Sequence, residues 1–296
     1  MLDLRDYLSV IGREIFYSIS DDLSDIQNSD LIIITAGMFP TTELKNDLCN
    51  IDPSGRLAQT YANYNMILQL GTAINTYCPN TTVLVVTNHA DLLSVILRKI
   101  CPVVRVIGLG CILDTIRFRR FLSNYLMDRK FKNISIRLYS CGIHDENVFI
   151  IKDSLHISAE NNARVAINSQ TYDSLLFQTI HEGKIISNFN KEIKHKGSTG
   201  AYLLPGICIS KFVGSYMGDT QLVDSFNVMI DDDELSQIYQ LPKGCSLSIP
   251  VVISNQTIKA VNTVRLTQSE LNKVLKIKDY IDKQILNIEQ YDNKRN

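Results

Sequence analysis

Three short runs of β-branched residues, separated by stretches with helical spacing, constrain this chain most. Asp30–Ala36 reads DLIIITA, Thr81–Thr87 reads TTVLVVT and Arg105–Leu109 reads RVIGL. Continuous apolar runs, unlike alternating ones, mark strands covered on both faces, and such strands pair in parallel with helices above and below. Helical periodicity fills the gaps, from about Arg56 to Tyr77 and from Asp91 to Lys99. This βαβα rhythm predicts an α/β fold with a doubly wound, Rossmann-type parallel sheet. Glu14–Ser20 reads as a shorter alternating run ahead of it.

Beyond Gly110 the rhythm changes. A helix near Asp114–Met127 precedes two strand-like runs, Asn133–Tyr139 and Asn147–Ile151. A polar, partly helical stretch reaches Asn190, and Ala201–Tyr216 is apolar at helical spacing. Val251–Asn255 reads as a strand with Pro250 marking its start. Thr267-x-x-Glu270 is a capping box. It opens an amphipathic helix with Leu271, Val274, Leu275, Ile281 and Ile285 on one side. The division expected is residues 1–109 and an α+β unit of residues 110–296. No low-complexity linker separates them, so they share a broad interface.

Composition excludes several classes. The formal net charge is −1, which leaves no global footprint for a nucleic acid. Seven cysteines, at 49, 78, 101, 111, 141, 208 and 245, show no CxxC spacing and read as buried, reduced thiols. Met1 is followed by Asp3, Arg5 and Asp6, unlike a signal peptide, and no run of about 18 apolar residues suggests a membrane span. A cytoplasmic protein is expected, in which the sequons at Asn80, Asn133 and Asn255 carry no meaning. His89, His156, His181 and His195 lack ligand spacing, so no metal is expected, and Asp231–Glu234 reads as a solvated turn at a helix start.

Chemistry concentrates in three polar clusters: VVTN at 85–88, LDTIRFR at 113–119 and GIH at 142–144. Asn88 lies just past the carboxyl end of a buried strand, where open α/β sheets bind ligands. It also reads as a turn-forming residue. Asp114 and Arg117 stand i, i+3 at a helix start, where a cap and a surface cation are the plainer reading. His144 suits proton transfer near neutral pH, though a histidine beside Asp145 and Glu146 is commonly just surface.

Taken together, these stretches resemble the lactate/malate dehydrogenase family, nearer its malate branch, from Leu2 to about Asn287. The resemblance rests on SDLIIITAG (29–37), VVTNHADLLS (85–94), RVIGLGCILDTIRFRRFL (105–122), GIH (142–144) and KGST (196–199), in matching order and spacing. It implies NAD as cofactor, a small 2-hydroxy or 2-oxo acid as substrate, and a homodimer or homotetramer. His144 would be the proton donor and acceptor, with Asp114 holding its imidazole. Arg117 would clamp the substrate carboxylate, Asn88 would bond the reacting oxygen and Thr199 would line the pocket. Thr35, Ala36, Gly37, Asp52, Val86, Thr87 and Asn88 would lie along the cofactor, and a loop between Gly37 and Leu48 would close over the site.

The chain also departs from that pattern. The family opens with a strand, a G-x-G-x-x-G turn, a helix and a strand ending in Asp, and no G-x-G-x-x-G occurs in these 296 residues. The doubly wound sheet is therefore expected to be incomplete, with Asp30–Ala36 as an open apolar edge. A truncated or mis-started reading frame accounts for this, with a decayed gene or a gap-filling partner chain as competing accounts. Met38–Thr42 carries no cation where the malate branch has an arginine for the distal carboxylate. Lys45 stands for a second loop arginine, Asp52 for an asparagine and Asp145 for a glycine. These departures support a second reading, a catalytically impaired or non-enzymatic remnant or assembly subunit. A nucleotide-binding regulator on the same fold is a third.

Overall fold

The computed structural model of the chain describes residues 18–52, 55–144, 147–160, 165–192, 202–218 and 220–295. The three β-branched runs become strands β1 (Leu31–Ile34), β2 (Thr82–Val85) and β3 (Arg105–Gly108). They pair in parallel, with Ile33 beside Leu84 and Leu84 beside Ile107. Helices α1 (Thr42–Leu48), α2 (Arg56–Ala62) and α3 (Tyr64–Tyr77) lie between β1 and β2, and α4 (Ala90–Ile100) joins β2 to β3. The central β2 is buried at every position, as its composition demands. In β1 only Ile34 is buried, and Ile33 is 36% exposed. Among the described residues β1 is the outer strand, the open edge that the sequence predicts. Of the run Glu14–Ser20, residues 14–17 lie outside the described residues and 18–20 form no regular element.

The helix expected over Arg56–Tyr77 is two helices. Asn63 stands between them with φ −102° and ψ −1°, fully buried. Its Oδ1 accepts the Met38 N–H at 2.6 Å, and its Nδ2 donates to the Met38 carbonyl at 3.1 Å. The break thus holds the chain segment leaving β1. The closing loop expected between Gly37 and Leu48 is mostly α1, capped by Thr41 Oγ1 accepting the Leu44 N–H at 3.1 Å.

The second half contributes α5 (Ile112–Asp128), β4 (Ser135–Arg137), β5 (Ser140–Cys141), β6 (Phe149–Ile150) and β7 (His156–Ser158). Then come α6 (Ser169–Glu192), α7 (Leu203–Tyr216), β8 (Leu222–Met229) and α8 (Asp233–Tyr239). The chain ends with β9 (Ser246–Ser254), β10 (Thr257–Ala260) and α9 (Gln268–Arg295). Strands β4 and β7, and β5 and β6, form antiparallel ribbons. Strand β8 pairs antiparallel with β3, so the main sheet runs β1-β2-β3-β8-β9-β10 and crosses residue 109.

Pro250 does not start a strand; it sits inside β9, opposite Ser225 of β8. Its carbonyl accepts the Tyr239 hydroxyl at 2.6 Å. The N and C=O of one strand residue point to the same side, so the missing N–H faces away from β8 and costs no ladder bond there.

One core packs both faces of the main sheet, and a smaller one joins α5 to the β4–β7 ribbon and α6 through Phe118, Leu122, Leu126, Ile157 and Leu175. The capping box of α9 is formed: Glu270 Oε2 accepts the Thr267 N–H at 2.8 Å and Thr267 Oγ1 accepts the Glu270 N–H at 3.3 Å. Val274, Ile281 and Ile285 are buried, but Leu275 is 45% exposed and Ile277 and Ile288 take the core positions instead. Asp232 caps α8 through the Leu235 N–H at 2.7 Å, as a turn at a helix start should. Six of the seven free cysteines are buried; Cys49 is exposed, against expectation. No described helix is long and apolar enough to cross a membrane.

Candidate active site

The site lies at the carboxyl ends of β1, β2 and β3, where strands stop and connecting segments fan out. Thr87 binds two of these segments together: its hydroxyl donates to the Ile34 carbonyl at 3.2 Å and the Ala36 carbonyl at 2.5 Å. Gly37 packs so closely that a Cβ there would meet Thr87 Cγ2 at 2.9 Å. Thr35, Ala36, Gly37 and Asn88 are exposed, Val86 is half-buried and Thr87 is buried.

Beyond β3 the chain turns through Gly110, at φ +61°, into α5. A Cβ at Gly110 would fall 2.3 Å from Ser248 Oγ, the same oxygen that accepts the Cys111 N–H at 3.0 Å. Helix α5 therefore starts hard against β9. Asp114 and Arg117, one turn apart, are 3% and 5% exposed. The plainer reading, a cap and a surface arginine, fails for both: Asp114 lies inside the helix and Arg117 inside the protein. Gly183 of α6 makes room for the guanidinium, since a Cβ there would lie 3.1 Å from Arg117 Nη1.

His144 arrives from a second tight approach. Gly142 and Ser248 exchange backbone hydrogen bonds of 3.0 and 2.6 Å. Gly142 adopts φ +118°, and a Cβ there would lie 2.2 Å from the Asn147 carbonyl oxygen. Gly142→Ala is expected to lower stability by about 2–3 kcal/mol. That corresponds to a Tm drop of roughly 5–10 °C in a thermal melt.

These approaches bring three of the sequence-predicted side chains together. His144 Nδ1 lies 2.5 Å from Asp114 Oδ2, and Arg117 Nη1 donates to Asp114 Oδ1 at 3.5 Å. Arg117 Nε is buried without a partner among the described residues. The His144 main chain is held as well: Asp91 Oδ2 accepts its N–H at 3.0 Å and Arg56 Nη1 donates to its carbonyl at 3.2 Å. Burial works against protonating His144. The charge and hydrogen bond of Asp114, helped by Asp91, outweigh burial and Arg117, so its pKa is raised above the ordinary histidine value. His89 goes the other way. Burial, with the charges of Arg56 and His144, lowers its pKa to about 3, and its Nδ1 lies 3.3 Å from Thr60 Oγ1.

Asp114 on Nδ1 leaves Nε2 as the ring atom that can give or take a proton, and the His144 side chain is 29% exposed. A buried guanidinium beside it suits a small carboxylate. Asn88 stands exposed at the end of β2, and its amide takes no part in the bonds of the trio. Lys45 is exposed on α1. Asp52 is 9% exposed, and its Oδ2 accepts the Leu57 N–H at 2.7 Å, securing the start of α2. Thr199, the KGST stretch and Asp145 lie outside the described residues. Sequence reading passed over Asp91, Arg56, Asn63 and Gly183. Asp91 alone carried a signal, an acid in the first turn of a helix just after a candidate site residue.

Known proteins resemble this chain in sequence and in fold. Residues 1–108 match the family model described as lactate/malate dehydrogenase, NAD binding domain. Over 289 residues the chain is 23% identical to a malate dehydrogenase of Caldivirga maquilingensis, covering 97% of this chain and 85% of that protein. Over 252 residues it is 26% identical to an L-lactate dehydrogenase of Synechococcus, covering 84% and 74%. In fold it resembles the malate dehydrogenase of Plasmodium falciparum, with a TM-score of 0.76 at 17% identity over 98% of this chain and 85% of that one. The lactate dehydrogenase of Cryptosporidium parvum, solved with lactic acid and nicotinamide adenine dinucleotide, gives 0.75 at 19% over 97% and 85%. Along nearly its whole length the chain is thus similar to lactate and malate dehydrogenases.

Proposed function

We propose that this protein is an NAD-dependent 2-hydroxy acid dehydrogenase of malate type, converting malate to oxaloacetate. The observation that carries the reading is the trio at the carboxyl edge of the sheet: an imidazole on a buried carboxylate at 2.5 Å, with a buried guanidinium on the other carboxylate oxygen. Malate and lactate dehydrogenases are the relatives that support it. Residues 1–109 form the nucleotide half and 110–296 the substrate half of a cytoplasmic homodimer or homotetramer in this proposal.

The residues present fit the nicotinamide end of NAD. Thr35, Ala36 and Gly37 are exposed at the end of β1, and the Thr87 clamp fixes their backbone. Val86 and Asn88 flank that clamp just past the end of β2, with Asp52 near the start of α2. The sequence contains no G-x-G-x-x-G, so no pyrophosphate ligand is assigned. When bound, NAD supplies the acceptor for the hydride leaving the substrate C2.

The chain's own residues do the rest. Arg117 pairs with the substrate carboxylate, and its unpartnered Nε offers the second arm of a fork. Asn88 donates to the C2 oxygen. His144 Nε2 takes the hydroxyl proton as the alcohol becomes a ketone, while Asp114 holds Nδ1–H and stabilises the imidazolium formed. Lys45 supplies a cation to the pocket, and Thr199 is assigned to it by the family resemblance alone. Lysine keeps the charge of an arginine there without its fork, so weaker stabilisation of the developing oxyanion follows.

The test is NADH absorbance with malate, lactate and their oxo acids, beside calorimetry with NADH. Turnover of malate over lactate is expected. A folded chain that neither binds NADH nor turns over any of these acids overturns the proposal in favour of the non-enzymatic remnant.

A further inference from the structure

Asp91 stands out as a buried charge that the proton-transfer scheme leaves unused. It lies in the first turn of α4 and is 4% exposed. An acid in a helix's first turn is favoured by the helix dipole even when it faces water. Burial needs a further reason, because a desolvated carboxylate is costly unless its oxygens are bonded.

Those oxygens are divided between two separate parts of the fold. Oδ2 accepts the backbone N–H of His144 at 3.0 Å. Oδ1 accepts Asn227 Nδ2 of β8 at 2.8 Å, and Asn227 Oδ1 in turn accepts the Ser246 hydroxyl of β9 at 3.0 Å. Asn227 is 1% exposed and Ser246 5%. The chain of bonds runs from β9 through β8 to α4 and ends on the residue whose ring faces Asp114. We infer that Asp91 is a positioning residue for His144, fixing its main chain to the sheet so that the imidazole meets Asp114 and the substrate together. The inference rests on the dehydrogenase reading for its rate consequences, but not for its geometry.

The charge acts in the same direction as the bond. Among the described residues, the groups bearing on His144 are Asp114 and Arg117 from α5, Asp91 from α4, His89 just ahead of α4, and Arg56 from α2 on its carbonyl. Asp114 and Asp91 favour the protonated ring; burial and Arg117 oppose it. Removing the Asp91 charge therefore lowers the proton affinity of His144.

The experiment is a histidine-selective NMR titration of the full chain, with His144→Asn assigning the resonance, run beside pH profiles of kcat/KM. In Asp91→Asn the His144 midpoint is expected to fall by about half a unit to one unit. The profile shifts equally, and kcat drops about 10–100-fold with KM changed less than about threefold. A His144 midpoint unmoved within about 0.1 unit, or a shifted midpoint with unchanged kcat, overturns the inference. Should Asp91→Asn not fold by circular dichroism, Asn227→Ala takes its place. It keeps the charge but removes the brace, and a smaller downward shift is expected, no shift again being the contrary result. If the wild-type chain turns over no 2-hydroxy acid, the dehydrogenase reading fails, while the titration still decides whether Asp91 acts on His144.

Discussion

Arg117→Lys is expected to cut kcat/KM for malate oxidation by about 10²–10³, or roughly 3–4 kcal/mol of transition-state stabilisation. The argument starts from burial. Arg117 is 5% exposed, shares Asp114 with His144 and has an Nε–H that nothing among the described residues accepts. A guanidinium can bond Asp114 with one nitrogen and present two parallel donors to a carboxylate with others. An ammonium has the charge but not the planar fork, and a shorter reach. One charge-assisted bond is lost and the substrate carboxylate is left partly unpaired in a desolvated place, which sets the magnitude. The loss should fall on KM as well as kcat, since the carboxylate is held in ground and transition states alike. Steady-state rates with malate and oxaloacetate check it, with a thermal melt to show that the variant is folded. Turnover within a few-fold of wild type would remove Arg117 from the substrate site and the dehydrogenase assignment with it.

The sheet was legible because β1, β2 and β3 are built from runs that only a two-sided core can use, so Val83, Leu84, Val106 and Ile107 announce their own burial. Strand β8 was not. Its sequence, LVDSFNVM, interrupts the apolar pattern with Asp224, Ser225 and Asn227, all buried. For Ser225 and Asn227 that polarity is satisfied by distant partners: Ser225 Oγ donates to the Ser140 carbonyl at 2.8 Å, and Asn227 reaches Asp91. A window of neighbours cannot reveal bonds made across more than eighty residues. The helix break at Asn63 has the same origin, since its reason lies at Met38. The site divides likewise. Asp114, Arg117 and His144 could be named because their residue types match one chemistry and a family pattern. Gly183 and Arg56, which make room for the guanidinium and hold the His144 carbonyl, have no local signal at all.

The pH dependence of Asp114→Asn and His144→Asn bears on the proton itself. Oxidation requires His144 neutral, so that Nε2 can accept; reduction requires it protonated, so that Nε2 can donate. The wild-type His144 pKa lies above the ordinary value, burial being outweighed by Asp114. Oxidation should therefore rise with pH through that raised midpoint, and reduction should fall through the same one. Asp114→Asn removes the largest favourable contribution to the imidazolium while an amide oxygen can still accept from Nδ1. Its midpoint should move down, below the wild-type value, with kcat reduced about 10²–10³-fold because the charge formed during oxidation is no longer balanced. Among the described residues, His144→Asn leaves no imidazole in the pocket that titrates near neutral pH, since His89 stays neutral at pH values above about 3. The shared midpoint should vanish and the rate fall about 10³–10⁴-fold. Persistence of that midpoint in His144→Asn would place the proton on another group, and the 2.5 Å contact between His144 and Asp114 would then be a structural bond alone.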